Sequence, residues 1–103
     1  MRAFEPEENS CYDIYARSTV HQSALKHGLS ASRVHAAWVS GGQLECQLDD
    51  AEPQRLLRIG FDSTTGMPVD LIALVFGQQR VLIIHAMAAR QHMIDLVERG
   101  RGR

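Results

Sequence analysis

The chain has 103 residues and 45% hydrophobic content, which suits one globular domain with one hydrophobic core. Its longest apolar runs (71–76 and 81–84) cannot cross a bilayer and its acidic start has no signal-peptide core, so we expect a cytoplasmic protein without membrane contacts. The net charge of −1 lacks the basic excess typical of nucleic-acid-binding proteins, so any basic surface must be assembled locally.

Composition predicts the domain boundaries. Residues 1–11 form a polar N-terminal arm, residues 12–100 a single α+β domain, and residues 101–103 a basic tail. Cys11 and Cys46 are far apart and match no metal or redox spacing, which predicts two reduced thiols. The histidines have no helical metal spacing and no glycine-rich phosphate loop occurs, so we expect neither a metal nor a cofactor.

Two short helices are predicted near the N-terminus, over residues 15–27 and 31–39. Gly28 between them can adopt the left-handed conformation that ends a helix, and Ser30 is a good N-cap for the second helix. Apolar residues of the second helix recur at helical spacing and should face the core; they are Val34, Ala37 and Trp38.

The hydrophobic period then changes to two, which indicates strands. The predicted strands cover residues 44–48, 55–61, 69–76 and 80–86. Tight loops join them, which favours an antiparallel meander. A last helix is predicted over residues 88–99. The expected fold is α+β, in the order α-α-β-β-β-β-α, with a four-stranded antiparallel sheet, two N-terminal helices and one C-terminal helix.

The end of the fourth predicted strand is a candidate site. His85 follows an apolar run there, so the sheet holds the ring while the strand end opens it to solvent. Arg90 and His92 follow in the first turns of the last helix, whose free N–H groups attract anions. His85, Arg90 and this helix start therefore predict a small anion pocket. The alternative is a histidine bonded to a neighbouring backbone group, beside a solvated arginine.

Other cationic side chains could extend this site. Arg55, Arg58 and Arg80 lie on neighbouring predicted strands and would make a cationic surface if they share a sheet face. Lys26 and His27 end the first predicted helix. In the alternative interpretation, these side chains only solubilise the sheet and complement the helix dipole.

The run Lys26-His27-Gly28-Leu29-Ser30, followed by a short amphipathic helix, resembles the BrnT family of bacterial toxins. The strand over 55–60 resembles that family's Arg-aromatic-x-x-Ile/Leu-Gly strand. The segment 83–86 before the last helix resembles its Ile-Ile-Ser-Ala-Arg ending. The resemblance extends over residues 15–98.

This resemblance implies a RelE-like α/β fold, a toxin–antitoxin setting, metal-independent RNA cleavage and a helical antitoxin as partner. In such cleavage a base activates the ribose 2′-OH while cations stabilise the charge on phosphate. Lys26 and His27 match the family's Lys-His, Arg55 matches the arginine that opens its second strand, and His85 stands where the family has serine. On this hypothesis the catalytic residues are His85, Arg90 and Arg58. The RNA- or phosphate-binding residues are Lys26, His27, Arg55, Arg80 and His92.

Two other functions stay open. The family's arginine after Ser-Ala is replaced by Met87 here, which favours a non-catalytic interaction module. Such a module would bind a partner protein, or a second copy of the chain as a homodimer, through its sheet face or last helix. The third function is small-molecule binding on the concave sheet face, which an enclosed pocket near His85 would favour.

Overall fold

The structure, a computed structural model, describes residues 18–41, 44–77 and 80–101. Within these ranges the chain forms five strands, one 3-10 helix and two α-helices. The strands are β1 (Ser18–Val20), β2 (Glu45–Gln47), β3 (Gln54–Phe61), β4 (Pro68–Phe76) and β5 (Arg80–Ala88). The helices are the 3-10 helix Gln22–Leu25, α1 (Ala31–Ser40) and α2 (Gln91–Arg101). The predicted N-terminal arm over 1–11 and the end of the predicted basic tail, 102–103, lie outside the described residues.

The sheet corrects the predicted architecture. Its strand order is β1-β5-β4-β3-β2. Strands β2 to β5 form the antiparallel meander, and β1 adds to the free edge of β5 in parallel. The described part of the chain therefore contains a five-stranded mixed sheet. The predictions of a four-stranded antiparallel sheet and of two N-terminal helices are wrong.

The helix predicted over 15–27 is wrong because its described part divides into β1 and the 3-10 helix. Thr19 and Val20 are β-branched, and β-branched side chains fit a strand better than a helix. Their backbone lies opposite Leu82 and Ile83 of β5, where an apolar strand would otherwise leave an open edge. Pairing with that edge therefore decides the structure of this segment.

The helix predicted over 31–39 is present as α1. The hydroxyl oxygen of Ser30 accepts a hydrogen bond from the backbone N–H of Arg33 at 3.3 Å, as an N-cap does. Gly28 has a φ of +93°, and only glycine adopts this left-handed conformation at low cost. The residues of α1 that were predicted to face the core are buried, namely Val34, Ala37 and Trp38.

α1 and α2 pack on opposite faces of the sheet. One buried cluster joins α1 to β4, with Val34 packed among side chains that include Leu71. A second buried cluster joins α2 to β3, with Val97 packed near Leu57. Side chains alternate between the faces of a strand, so each face of the sheet has its own apolar layer. Burial of one such side chain contributes about 1.5–3 kcal/mol to folding.

Close backbone contact fixes α1 above β3. A Cβ atom built on Gly60 would lie 1.8 Å from the carbonyl oxygen of Ala37 in α1. Any side chain at this position would therefore force the helix and the strand apart, and glycine permits their contact.

The chain turns from β5 into α2 beside the start of β4. The N–H of Ala89 donates to the carbonyl oxygen of Pro68 at 2.9 Å, which extends the pairing of β4 and β5. The carbonyl oxygen of Arg90 then accepts the first hydrogen bonds of the helix. α2 consequently begins at Gln91, later than the predicted start at 88. Among the described residues, no helix is long and apolar enough to span a membrane.

Candidate functional site

A buried carboxylate lies near the start of β4. Asp70 is 0% exposed. Its Oδ1 accepts hydrogen bonds from Nε2 of His85 at 2.8 Å and from Nη2 of Arg90 at 3.2 Å. Its Oδ2 accepts from the backbone N–H of Arg90 at 3.0 Å and from Nε of the same residue at 3.1 Å. Because a buried charge persists only with partners, these contacts explain how the sheet tolerates a carboxylate.

Strand register brings these groups together. His85 lies opposite Ile72 and Met87 opposite Asp70 in the antiparallel pairing of β4 with β5. Directly opposed residues share a face, so Asp70 and His85 are diagonal neighbours on the face against which α2 packs. Arg90 reaches the same carboxylate because the chain turns back over β4 before α2 begins.

The contact with Asp70 orients the His85 ring. At 2.8 Å from a carboxylate oxygen, Nε2 must carry a proton and donate it. Nη2 of Arg90 lies 3.2 Å from Nε2, since both donors are directed at the same oxygen. In neutral His85 this leaves Nδ1 unprotonated, and no hydrogen-bond partner of Nδ1 occurs among the described residues. The ring therefore presents a basic nitrogen, and its side chain is 22% exposed.

His27 lies beside His85. Their ring centroids are 5.6 Å apart, with an interplanar angle of 68°. The segment before His27 is fastened to the edge of β5, where the hydroxyl group of Ser23 donates to the carbonyl oxygen of Ile84 at 2.7 Å. The structure thus brings three of the predicted site residues together: His27, His85 and Arg90.

Arg58 lies on the opposite face of the sheet. Its Nε donates to Oε1 of Glu45 at 2.8 Å, and its Nη1 donates to the carbonyl oxygen of Trp38 at 2.8 Å. Its guanidinium carbon also stands 3.7 Å from the centre of the Trp38 ring, a cation–π contact. The structure therefore does not bring Arg58 together with His85 and Arg90, and its contacts hold α1 to β3.

The other predicted binding residues are dispersed. Arg55 forms an exposed ion pair with Asp49, with 2.7 Å between its Nε and the carboxylate oxygen. Arg80 opens β5, five residues before His85 in an extended strand, with its guanidinium 5.9 Å from a phenylalanine ring. Lys26 is exposed next to His27, and His92 is exposed in the first turn of α2. Of this group, Lys26 directly precedes a clustered residue in the chain.

The carboxylate of Asp70 occupies the predicted anion pocket. Asp70 accepts the backbone N–H before α2 and two guanidinium N–H groups of Arg90, which were the predicted donors for a bound anion. The partner of His85 is likewise this carboxylate and not a backbone group. Asp70 was missed from the sequence. The signal for it is a lone acidic residue inside an otherwise apolar strand, because buried acids need a cationic partner.

A second buried carboxylate lies in the β3–β4 loop. Asp62 accepts a hydrogen bond from Nε of Arg33 at 2.8 Å and one from the hydroxyl group of Thr65 at 2.8 Å. Arg33 chiefly, assisted by Thr65 and the N–H of Thr64, holds the pKa of the Asp62 carboxyl well below its usual range. The same hydrogen bond raises the pKa of Arg33. This pair ties α1 to the loop and, together with His27, lines a groove of about 250 Å³.

Among the described residues, no cluster of three or more His, Cys, Asp or Glu side chains could hold a metal ion. Comparisons with protein-family models, with curated proteins and with solved structures find no match for this chain. The resemblance to BrnT toxins therefore stays a prediction.

Proposed function

We propose that this chain is an RNA-cleaving enzyme and the toxin of a toxin–antitoxin pair, in which His85 and His27 transfer protons and Arg90 stabilises phosphate. One observation carries the proposal. The His85 imidazole is held by the buried Asp70 carboxylate, and the His27 imidazole lies 5.6 Å from it. Two imidazoles and a guanidinium beside one another can supply the base, the acid and the positive charge for RNA cleavage through the 2′-OH.

His85 is the general base in this proposal. Its Nδ1 removes the proton of a ribose 2′-OH, and the 2′ oxygen forms a bond to the adjacent phosphorus. The carboxylate of Asp70 stabilises the imidazolium that results and keeps the ring in one orientation. Asp70 is therefore a positioning residue, because it acts through His85.

His27 is the general acid. It donates its proton to the 5′ oxygen as the bond between that oxygen and phosphorus breaks. The products are a 2′,3′-cyclic phosphate and a 5′-hydroxyl group, and the step consumes no water. His27 is exposed and the side chain of His85 is partly exposed, so a single-stranded RNA can reach both rings from solvent.

Arg90 and Lys26 supply the positive charge. Arg90 directs Nε and Nη2 at Asp70, which leaves the N–H groups of Nη1 for a phosphate oxygen. Its side chain is 37% exposed, so a ligand can reach it. Lys26 is exposed next to the general acid. Charge-assisted hydrogen bonds from these groups stabilise the charge that develops on phosphate in the transition state.

The test is cleavage of single-stranded RNA by the purified chain in the presence of EDTA. We expect the wild type to release 2′,3′-cyclic phosphate ends. H85A should lower kcat by about 100-fold or more, since positioned acid–base groups contribute about 10²–10⁴-fold. The double variant H85A/R90A should show no activity above background. R99A, which removes an exposed arginine of α2 away from the site, is the matched control and should cleave like the wild type.

Two results would contradict this proposal separately. Equal cleavage by the wild type and H85A/R90A would show that another site or a contaminant cleaves the RNA. A wild-type protein without cleavage activity would refute the enzyme function itself. Growth arrest on expression, relieved by a neighbouring gene, tests the toxin–antitoxin assignment.

An interaction module is the second candidate, favoured by the sheet face that carries Asp70. α2 packs mainly on β2 and β3. Leu74 and Leu82 oppose each other on the same face of β4 and β5 and are only half-buried among the described residues. An apolar face of this kind suits a partner protein or a second copy of the chain. A dimer in light scattering that L82E dissociates would support this function, and a wild-type monomer at all concentrations would oppose the dimer.

A further inference from the structure

The groove between α1 and the β3–β4 loop adjoins the proposed catalytic histidines. Its volume is about 250 Å³, and His27 is one of its lining residues. The groove lies on the α1 face of the sheet and His85 on the α2 face, and the His27 ring, which contacts His85, connects the groove to the proposed catalytic site. The proposed mechanism uses only His27 of the groove and assigns no role to the rest.

Arg33 presents a free donor edge in this groove. Its Nε and Nη2 bind the two oxygens of Asp62, which leaves both N–H groups of Nη1 and one of Nη2 without an acceptor among the described residues. The Arg33 side chain is 31% exposed and lines the groove. Asp62 is itself held by Thr65, so the guanidinium plane is fixed before any ligand binds.

The remaining walls of the groove are apolar. Met67 is 62% exposed, the largest exposed fraction among the exposed large apolar side chains of the described residues. Apolar side chains line the groove together with it, namely Leu29, Pro68, Val69 and Ala88. A flat ring with an acceptor edge fits such walls, because its faces contact apolar atoms while its edge accepts from the guanidinium.

We propose that this groove binds a guanine base of the RNA that is cleaved, with O6 and N7 of the base accepting hydrogen bonds from Arg33. The assignment rests on the proposed function. Guanine presents two acceptors, O6 and N7, on the edge that faces Arg33. Adenine has an amino group in place of O6, so a donor of the base would face a donor of Arg33. Met67 covers one face of the base, and His27 places the neighbouring phosphate at the reacting groups.

The test measures binding of short, single-stranded 2′-O-methyl uridine oligonucleotides with one central purine, which cannot be cleaved through the 2′-OH. Fluorescence anisotropy should give a Kd about tenfold lower for central guanosine than for central adenosine. Inosine keeps O6 and N7 and should bind like guanosine. 7-Deazaguanosine lacks N7 and should lose most of the preference.

Variants then locate the preference in the groove. R33K keeps a positive charge beside Asp62 but loses the planar donor fork, so the ratio of the adenosine to the guanosine Kd should fall close to one. R99K makes the same exchange on an exposed part of α2 and should keep the full ratio. M67A should raise the Kd for both oligonucleotides by about fivefold without changing the ratio. V39A, a truncation of an exposed apolar residue outside the groove, is its control.

The outcomes separate this assignment from the proposed function. Cleavage by the wild type without a guanosine preference in binding would overturn the guanine site alone. If R33K loses the guanosine preference but the wild type cleaves no RNA, the enzyme function is overturned and the guanine site is kept. If R33K fails to fold, M67A and the binding of the base analogues to the wild type provide the test. A Kd of M67A equal to that of V39A would show that the base does not bind in the groove. A wild type that neither binds nor cleaves would overturn both.

Discussion

Replacement of Asp70 by asparagine tests the buried network most sharply, because the shape of the side chain is kept and only the charge and one acceptor are lost. The carboxylate accepts two hydrogen bonds on each oxygen. In D70N one of the two carboxylate oxygens is replaced by an amide NH₂ group, which donates hydrogen bonds. The two N–H donors of His85 or Arg90 that this oxygen accepted then face another donor and lose their acceptor. No rotation of the amide avoids this conflict, since both positions are directed at N–H groups.

The magnitude follows from those contacts. A hydrogen bond to a charged group contributes about 1.5–3 kcal/mol, so two lost bonds would cost about 3–6 kcal/mol. Arg90 and His85 are partly exposed and can regain water, which favours the lower end of that range. We expect D70N to lower the free energy of unfolding by about 3 kcal/mol and Tm by about 15 °C. A domain of this size has about 5–15 kcal/mol in total, so the loss is a large fraction.

The assay is urea unfolding followed by the fluorescence of Trp38, which is the single tryptophan and is buried in the core. D95N is the matched control. Asp95 is exposed on α2 and accepts one hydrogen bond from Gln91, so its change should stay within about 0.5 kcal/mol. A D70N protein as stable as D95N would show that Asp70 is not the buried partner of His85 and Arg90.

Three further predictions concern the packing of α1. The depressed pKa of Asp62, caused mainly by Arg33, adds stability that is present above about pH 4 and lost as the pH falls toward the folded-state pKa. The urea midpoint of the wild type should therefore fall as the pH is lowered below about 4. The midpoint of D62N should be lower at neutral pH and should fall less on acidification. An equal fall of the midpoint with pH in the two proteins would contradict this prediction. G60A should lower the free energy of unfolding by about 2 kcal/mol or more, because its Cβ would collide with the α1 backbone. G77A is the control, since a Cβ at Gly77 has open space. Equal melting temperatures of G60A and G77A in calorimetry would contradict the close contact of α1 with β3. R58K should lower stability by about 1 kcal/mol because a lysine cannot keep both the hydrogen bonds and the contact with the tryptophan ring; an unchanged urea midpoint would contradict it.

Local patterns predict the elements whose sequence signals lie within the segment itself. α1 has an N-cap at Ser30 and apolar residues at helical spacing, and both signals lie within the segment itself. β3, β4 and β5 carry strong apolar runs bounded by turns. β1 could not be found in this way. Its three residues become a strand because they pair with β5, a partner more than sixty positions away in the sequence.

The candidate site was predicted in part for the same reason. His85 and Arg90 are close in sequence, and the turn between β5, which ends at Ala88, and α2, which begins at Gln91, brings Arg90 back to His85. Asp70 completes the network from a neighbouring strand, and its role depends on the β4–β5 register, which no local pattern reports. Arg58 was grouped with His85 because residue parity alone does not tell which sheet face each strand residue takes.

Chemical rescue of H85A tests whether His85, held by Asp70, is the general base. Cleavage of single-stranded RNA is measured under single-turnover conditions with increasing imidazole in solution. We expect H85A to be almost inactive and added imidazole to restore part of its rate, while the wild type and R99A do not respond. A wild type that leaves the RNA intact, or an H85A protein that cleaves at the wild-type rate, would contradict it.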